Sequence, residues 1–332
     1  MLIKSADDKQ PQIDALEALA LRADVNAETR QRIEVEIKKV RAGVAGERDA
    51  AYEIEFVLGR SPRWAIIHDL RLEVAGRVAQ IDHIVINHLL DVWILESKHF
   101  SEGVAVNEQG EWVGFYGHKP YGIPSPIEQN RRHAAVLAAV FKSGLLPLPK
   151  RFGLLTIQPT FHSLVLVSNN ARISRPKGRA AAARVDGLGT VMKAEQFGRH
   201  IDKFFEQRSI TVAAKMVSPE AVELVARSLA ELHVPATFDW AARFGLPAAP
   251  PTMAQPASAA VPVVARVVVP VVAPVVAPVV APTADPAPTS GRPVCGSCGR
   301  PVSAVVMEFC ASRPERFAGG TYCMTCQSGF RH

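Results

Sequence analysis

The sequence predicts an α/β fold, followed by a tether and a small cysteine-rich module. Three observations carry this prediction. Helix-period and strand-period segments alternate through residues 1 to 245. From Leu246 to Gly291 the chain is almost wholly Ala, Pro and Val. All five cysteines fall between Cys295 and Cys326.

Glu28 to Leu58 has the period of a long helix, with glycines at 43 and 46 as places for a bend. Trp64–Asp69, Val78–Asn87 and Asp91–His99 are short runs rich in Ile and Val, bounded by turn residues, and read as strands. Val104–Asn107 and Trp112–Phe115 extend the sheet. Ser125-Pro126-Ile127-Glu128 is a helix start, with Ser as N-cap, Pro at N1 and Glu at N3 closing a capping box. That helix runs to about Lys142. Ser163–Val167 is a further strand, and Ala194–Gln207 and Pro219–Leu232 are helices.

A chain of 332 residues with 48% apolar and 21% charged residues excludes a mini-protein, a coiled-coil rod and wholesale disorder. The first ten residues lack an apolar core behind a basic flank, so the expected location is cytoplasmic. Val261 to Pro282 is apolar enough to span a membrane. Prolines at 262, 270, 274, 278 and 282 would break such a helix about once per turn, so the expected state is a flexible, disordered linker of polyproline II character. The net charge of +6 is unevenly divided. Residues 1 to 130 carry −6, residues 131 to 215 carry +11 and the cysteine-rich tail +3. That division suits an anionic partner held beside an acidic site, and suits equally a solvated basic face.

Within the second and third strands lie Gln80-Ile81-Asp82-His83 and Glu96-Ser97-Lys98. Glu96 and Lys98, two apart, share a strand face with Val92 and Ile94. An antiparallel hairpin centred on Leu89 sets Asp82 opposite Glu96. Two carboxylates close together suit Mg²⁺ or Mn²⁺, and a lysine beside them can stabilise charge developing on a phosphate. The same spacing also fits an ordinary strand-edge salt bridge. On the first helix Glu47 falls in register with Ala51, Ile54 and Leu58, while Glu53 and Glu55 fall off that stripe toward solvent. On the Ser125-capped helix Gln129 and His133 align with Val136, Leu137 and Val140. Glu47, Asp82, Glu96, Lys98 and Gln129, from four elements, point to one site. His68, His83 and His99 lie near these strands without metal-ligand spacing, and no phosphate-binding loop is present.

Gly46-Glu47-Arg48, Ala79-Gln80-Ile81-Asp82-His83, Leu95-Glu96-Ser97-Lys98 and Pro124-Ser125-Pro126-Ile127-Glu128-Gln129-Asn130 with His133 resemble the nuclease-related domain family, NERD. The resemblance covers roughly Gly43 to Phe141. It implies the PD-(D/E)xK nuclease superfamily: a restriction-endonuclease-like mixed β-sheet flanked by helices. It also implies a metal-dependent nuclease site, with Asp82 and Glu96 as Mg²⁺ or Mn²⁺ ligands, Lys98 as catalytic lysine, Glu47 as helix carboxylate and Gln129 as auxiliary polar residue.

The tail holds two C-x2-C knuckles, Cys295/Cys298 and Cys323/Cys326, separated by 24 residues. Four thiolates in this arrangement suit tetrahedral Zn²⁺ and could staple a short module with little core. Cys310 is a fifth thiol, either spare or a replacement for one of the four. The tail is similar to zinc ribbons appended to DNA-processing enzymes such as type IA topoisomerases. Its arginines and aromatic residues suit phosphate contacts and base stacking, or a protein partner.

The expected organisation is thus a nuclease-like domain over 1–245, a linker over 246–291 and a zinc-ribbon-like module over 292–332. The expected activity is metal-dependent phosphodiester hydrolysis, on DNA in preference to RNA. A non-catalytic nucleic-acid-binding or adaptor protein with the same fold is the alternative.

Overall fold

The computed structural model describes residues 1–151, 154–207, 216–247, 294–300, 302, 304–311 and 314–327. They belong to two compact units, one ending and the other beginning between residues 247 and 294. Beyond Leu246 and Pro247 the expected linker, with the apolar run 261–282, lies outside the described residues. Among the described residues, no helix is long and apolar enough to cross a membrane.

In chain order the first unit holds β1 (Leu2–Lys4), α1 (Gln10–Ala20), α2 (Ala27–Leu58), β2 (Trp64–Val74), β3 (Arg77–Asn87), β4 (Asp91–Lys98), β5 (Gly103–Val106), β6 (Trp112–Tyr116) and β7 (Lys119–Ile123). After these come α3 (Pro126–Lys142), β8 (Lys150–Arg151), β9 (Leu155–Thr156), β10 (Thr160–Val167), β11 (Arg172–Ser174), α4 (Arg179–Arg184), β12 (Val191–Lys193), α5 (Phe197–Glu206), α6 (Pro219–Ala230) and α7 (Trp240–Arg243).

The main sheet has the order β1-β2-β3-β4-β10-β12. β2, β3 and β4 form an antiparallel meander, whereas β1, β10 and β12 join in parallel, so the sheet is mixed. β3 pairs with β4 from Ile86↔Val92 to His83↔Leu95, a register centred on Leu89. One step further along the same register places Asp82 opposite Glu96. The turn is held by Asn87, whose Oδ1 accepts from the N–H groups of Leu89 and Asp91, both at 2.9 Å.

Helices cover both faces, as an α/β sheet requires. On one face Ile84, Ile86, Val92 and Ile94 meet Val136, Leu137 and Val140 of α3 and Val222, Val225 and Leu229 of α6. On the other, Ile66, Val85, Trp93 and Leu95 meet Ala50, Ile54 and Leu58 of α2 and Phe197 and Ile201 of α5. A second sheet, β11-β5-β6-β7, packs Val104, Val106 and Trp112 against Val165 and Val167 of β10.

α2 runs as one helix from the Asn26 N-cap through both glycines. Its buried stripe is Gly46, Ala50, Ile54 and Leu58, with Glu47 half-buried at its border. The reading of Glu53 and Glu55 as solvent-facing needs correction. Both are half-buried and partnered: Glu53 accepts from Asn169 at 3.1 Å, and Glu55 Oε1 lies 3.2 Å from His68 Nε2. Ser125 caps α3 as expected, accepting from the Glu128 N–H at 3.3 Å. Glu128 does not close the box; its carboxylate pairs with Arg131 at 2.6 Å.

Gly46 and Gly43 give opposite expectations. A Cβ at Gly46 would stand 2.7 Å from His99 Cβ, so the glycine is what lets α2 approach the end of β4. Gly43 is exposed with nothing within 4 Å of that position. Gly46→Ala should destabilise the fold by about 1–3 kcal/mol in urea titration. Gly43→Ala should stabilise it by about 0.5–1 kcal/mol. Equal effects would show that α2 does not depend on this contact.

Candidate active site

The C-terminal end of β4, the irregular middle of β2 and β3, and the middle of α2 and α3 converge on one cluster. Asp82 Oδ2 accepts from both the backbone N–H and the hydroxyl of Ser97, each at 2.8 Å, which fixes its carboxylate beside β4. Glu96 is 1% exposed, and its Oε1 receives Lys98 Nζ at 2.5 Å. Its Oε2 faces His133 Nδ1 at 3.5 Å, and neither atom has a hydrogen-bond partner. Glu47 approaches from α2, close enough for Asp82 and Lys98 to act on its charge.

Burial, and then the charge of Asp82, pushes Glu47 up to about 7. The same two causes push Glu96 up to about 8 despite Lys98. Burial also raises Asp82, against the pull of Lys98 and Ser97. His133 is held down to about 4, by burial first and then by Lys98 and Arg132, so it is neutral. Three carboxyl groups therefore share a poorly hydrated site with one lysine, and two of them resist ionisation near neutral pH.

Residues 42–168 match the nuclease-related domain family, NERD. The match spans 127 of the chain's 332 residues. The match contains Glu47, Asp82, Glu96, Lys98 and Gln129 and runs beyond the motifs legible in sequence to the end of β10. Comparison with curated proteins and with solved structures gives no match.

In the NERD segment the structure brings Asp82, Glu96, Lys98 and Glu47 together. Gln129 lies one turn before His133 on α3, half-buried, and its side chain makes no hydrogen bond among the described residues. His68 and His83 form a buried pair, Nδ1 to Nδ1 at 2.8 Å, and burial lowers the pKa of both. His99 is exposed.

A hard divalent cation fits this donor set. A buried carboxylate oxygen without a partner, Glu96 Oε2, beside two further carboxyl groups with raised pKa values, is an arrangement that positive charge would relieve. The carboxylates are not drawn into a closed cage. Among the described residues, the one group of three or more ligand atoms all within 4.8 Å of one another is the cysteine set of the tail.

Several site residues escaped the sequence reading. Asp69, with a positive φ of 52°, interrupts the β2–β3 pairing opposite Asp82 and accepts from Lys9 at 2.5 Å and Gln80 at 3.0 Å. Lys9, outside the NERD segment, also pulls on Glu47. Asn130 donates to the carbonyls of Ile94 and Leu164, both at 3.0 Å, tying α3 to β4 and β10. Only Gln80, His133 and Asn130 were visible as members of a motif; Asp69 and Lys9 had no sequence signal.

In the second unit Cys295, Cys298, Cys323 and Cys326 form the mutual cluster, which fits a zinc-ribbon-like tail. The chain between the knuckles contains α8 (Ala304–Ala311) and α9 (Pro314–Phe317), and α10 (Met324–Gln327) carries Cys326. Burial would raise the Cys295 thiol, but backbone N–H groups of Cys323, Ser297 and Cys298 draw it down to about 6, toward the thiolate that binds metal. Cys310 stands outside the four, buried, and accepts from the Tyr322 N–H at 3.4 Å and the Gln327 amide at 3.4 Å.

The raised carboxyl groups set the sign of a pH effect. Between the ordinary Glu value of 4.5 and about 8, the folded protein binds more protons at Glu96 than the unfolded chain does, so stability falls as pH rises through that window. Glu96→Gln should remove this loss: in EDTA at about pH 8 the variant should melt about 4 °C or more above the parent, and at about pH 5 the two should converge. Parallel melting curves across that range would contradict the assignment.

Proposed function

We propose that the NERD segment is a metal-dependent nuclease that hydrolyses phosphodiester bonds in nucleic acid, DNA in preference to RNA. The observation that carries this is the convergence of Asp82, Glu96 and Glu47 with Lys98 at a buried strand end, where Glu96 keeps an oxygen without a partner. Asp82 and Glu96 would hold Mg²⁺ or Mn²⁺. Such an ion supplies Lewis acidity toward a phosphoryl oxygen and lowers the pKa of a bound water.

The chain's own residues supply the rest. Ser97 holds the Asp82 carboxylate on the strand. Lys98, 29% exposed, reaches solvent from its ion pair with Glu96 and can meet a phosphate there, offsetting the negative charge that grows on it during attack. Glu47, with its raised value near 7, can hold or release a proton at neutral pH. His133, held neutral, stands 3.5 Å from Glu96 Oε2 and leaves that oxygen without a hydrogen bond. Gln129 would contact substrate or its water from α3. In the tail the four cysteines would hold Zn²⁺ and make a second module that contacts nucleic acid or a protein, joined by the Ala/Pro/Val segment, so that tethering raises the local substrate concentration.

The closed Glu96–Lys98 pair and the lack, among the described residues, of a three-carboxylate cage favour a second reading, a non-catalytic nucleic-acid-binding or adaptor protein. Cleavage separates the two. Plasmid, linear and branched DNA and RNA are incubated with the protein in Mg²⁺ or Mn²⁺ and in EDTA. Metal-dependent cutting that falls about 10²-fold or more in Asp82→Ala and Lys98→Ala supports the nuclease. No cutting of any substrate, or equal cutting by these variants, leaves the binding protein. For the tail, one zinc per chain should be found in the purified protein and lost in Cys295→Ser. Zinc content unaffected by that change would remove the four-cysteine site.

A further inference from the structure

The second sheet follows directly on β4, the strand that carries Glu96 and Lys98, and its outer hairpin exposes two aromatic rings. Residues 99–102 lead straight from Lys98 into β5, and the Ser168 N–H donates to the Lys98 carbonyl at 3.0 Å. Glu102 on that connection grips the β6–β7 turn, accepting from the N–H groups of Gly117 and His118. The turn is a two-residue connection with φ of 56° and 60°, the twist that fits tight hairpins. The tip is therefore held in place by the segment that follows the candidate catalytic lysine.

What this held tip displays is aromatic and cationic. Tyr116 is 74% exposed and Tyr121 46% exposed, on neighbouring strands two pairs apart in the ladder and so on one face, with Lys119 opposite Tyr116. Both tyrosines lie on the face whose inner end, Trp112 and Ile123, packs in the core, so the hairpin carries that face past the core into solvent. On the reverse side lies a cleft of about 440 Å³ lined by Gly103, Ala105, Phe115, His118, Arg172 and Ser174. β5 presents Gly103 and Ala105 there, and a Cβ at 103 would stand 2.5 Å from the Arg172 carbonyl, so the glycine is what lets β11 come this close. The Arg172 guanidinium has no ion-pair partner among the described residues, and the one carboxylate at the cleft, Glu102, is engaged by the turn. Tyr52 and Phe56 on α2 form another exposed aromatic pair.

We propose that the β6–β7 tip and its cleft bind an unpaired stretch of nucleic-acid strand adjoining the cleavage site, with bases stacked on the Tyr116 and Tyr121 rings and backbone phosphates met by Lys119 and Arg172. The choice of ligand rests on the nuclease reading. Rings with open faces take any base, whereas paired bases are already stacked on each other and offer only groove edges. The proposal thus makes single strands, frayed ends or junctions the preferred substrates over intact duplex.

The test uses the full chain with Lys98→Ala in every protein and Ca²⁺ in place of Mg²⁺, and reads fluorescence anisotropy of a labelled single-stranded oligonucleotide and of a hairpin duplex of the same composition. Tyr116→Ala/Tyr121→Ala should weaken single-strand binding by about tenfold or more and duplex binding by less than about twofold. Tyr116→Phe/Tyr121→Phe, which keeps the rings, should bind like the parent, and this separates stacking from damage to the hairpin. Arg172→Ala should reduce the slope of log affinity against log salt by about 0.7. Single-strand binding that survives loss of both rings, an equal loss on both ligands, or no single-strand binding by the parent overturns the proposal. Ring-dependent binding, together with no cutting in Mg²⁺ or Mn²⁺ by the parent chain with Lys98 intact, would retire the nuclease reading alone; cutting by that chain without ring-dependent binding would retire this one alone.

Discussion

The register of β3 against β4 is the constraint on which the site depends. It is set at the far end of the hairpin, where Asn87 takes the N–H groups of Leu89 and Asp91 on its Oδ1 and gives an Nδ2 hydrogen to Asp91 Oδ2 at 2.9 Å. Leu90 closes the turn with a φ of 56°, a conformation that costs a residue with a Cβ about 1 kcal/mol or more. Its side chain is fully buried among the core residues, which offsets that cost. A slip of one residue would turn every side chain of β4 to the other face, sending Glu96 and Lys98 toward α2 and separating Asp82 from Ser97.

With the register set, the site is a problem in charge. Burying Asp82, Glu96 and Glu47 at one strand end is unfavourable, as the upward shifts in all three show. The fold moderates it with Lys98, with two donors from Ser97, and with the N-terminal segment, where Lys9 reaches Asp69. None of these reaches Glu96 Oε2. A purely structural site would be expected to fill that position with a donor, since an unpaired buried acceptor costs roughly 1–3 kcal/mol. Leaving it open fits a site meant to be completed by a ligand.

Much of this was legible in the sequence because it depended on period and local chemistry. The β3–β4 hairpin followed from two Ile/Val runs around a short turn, and the Ser125 cap from its own four residues. Lys98, Glu96 and Asp82 were found as polar groups at positions that alternation assigns to a buried face. What stayed hidden depended on distant chain segments meeting. β1 has three residues and is a strand only because β2 offers it an edge. Asp69 reads as the end of a strand in sequence, yet β2 continues to Val74 around an irregularity that aims its carboxylate at Lys9. Glu53 and Glu55 have helical positions that point away from the stripe, and only the arrival of Asn169 and His68 gives them partners. Period locates a face; it does not say what long-range neighbour waits there.

The N-terminal segment shows how far such neighbours reach. β1 lies alongside β2, the Asp7 N–H donates to Asp69 at 3.2 Å, and Asp7 meets His233, just after α6, at 2.8 Å. Residues outside the NERD match therefore surround Asp69, the interruption in β2 that stands opposite Asp82. Because Asp69 raises and Lys9 lowers the Glu47 value, this extension acts on the proton held by the helix carboxylate. The family segment supplies the carboxylates and the lysine, but the charge state they adopt belongs to the whole first unit.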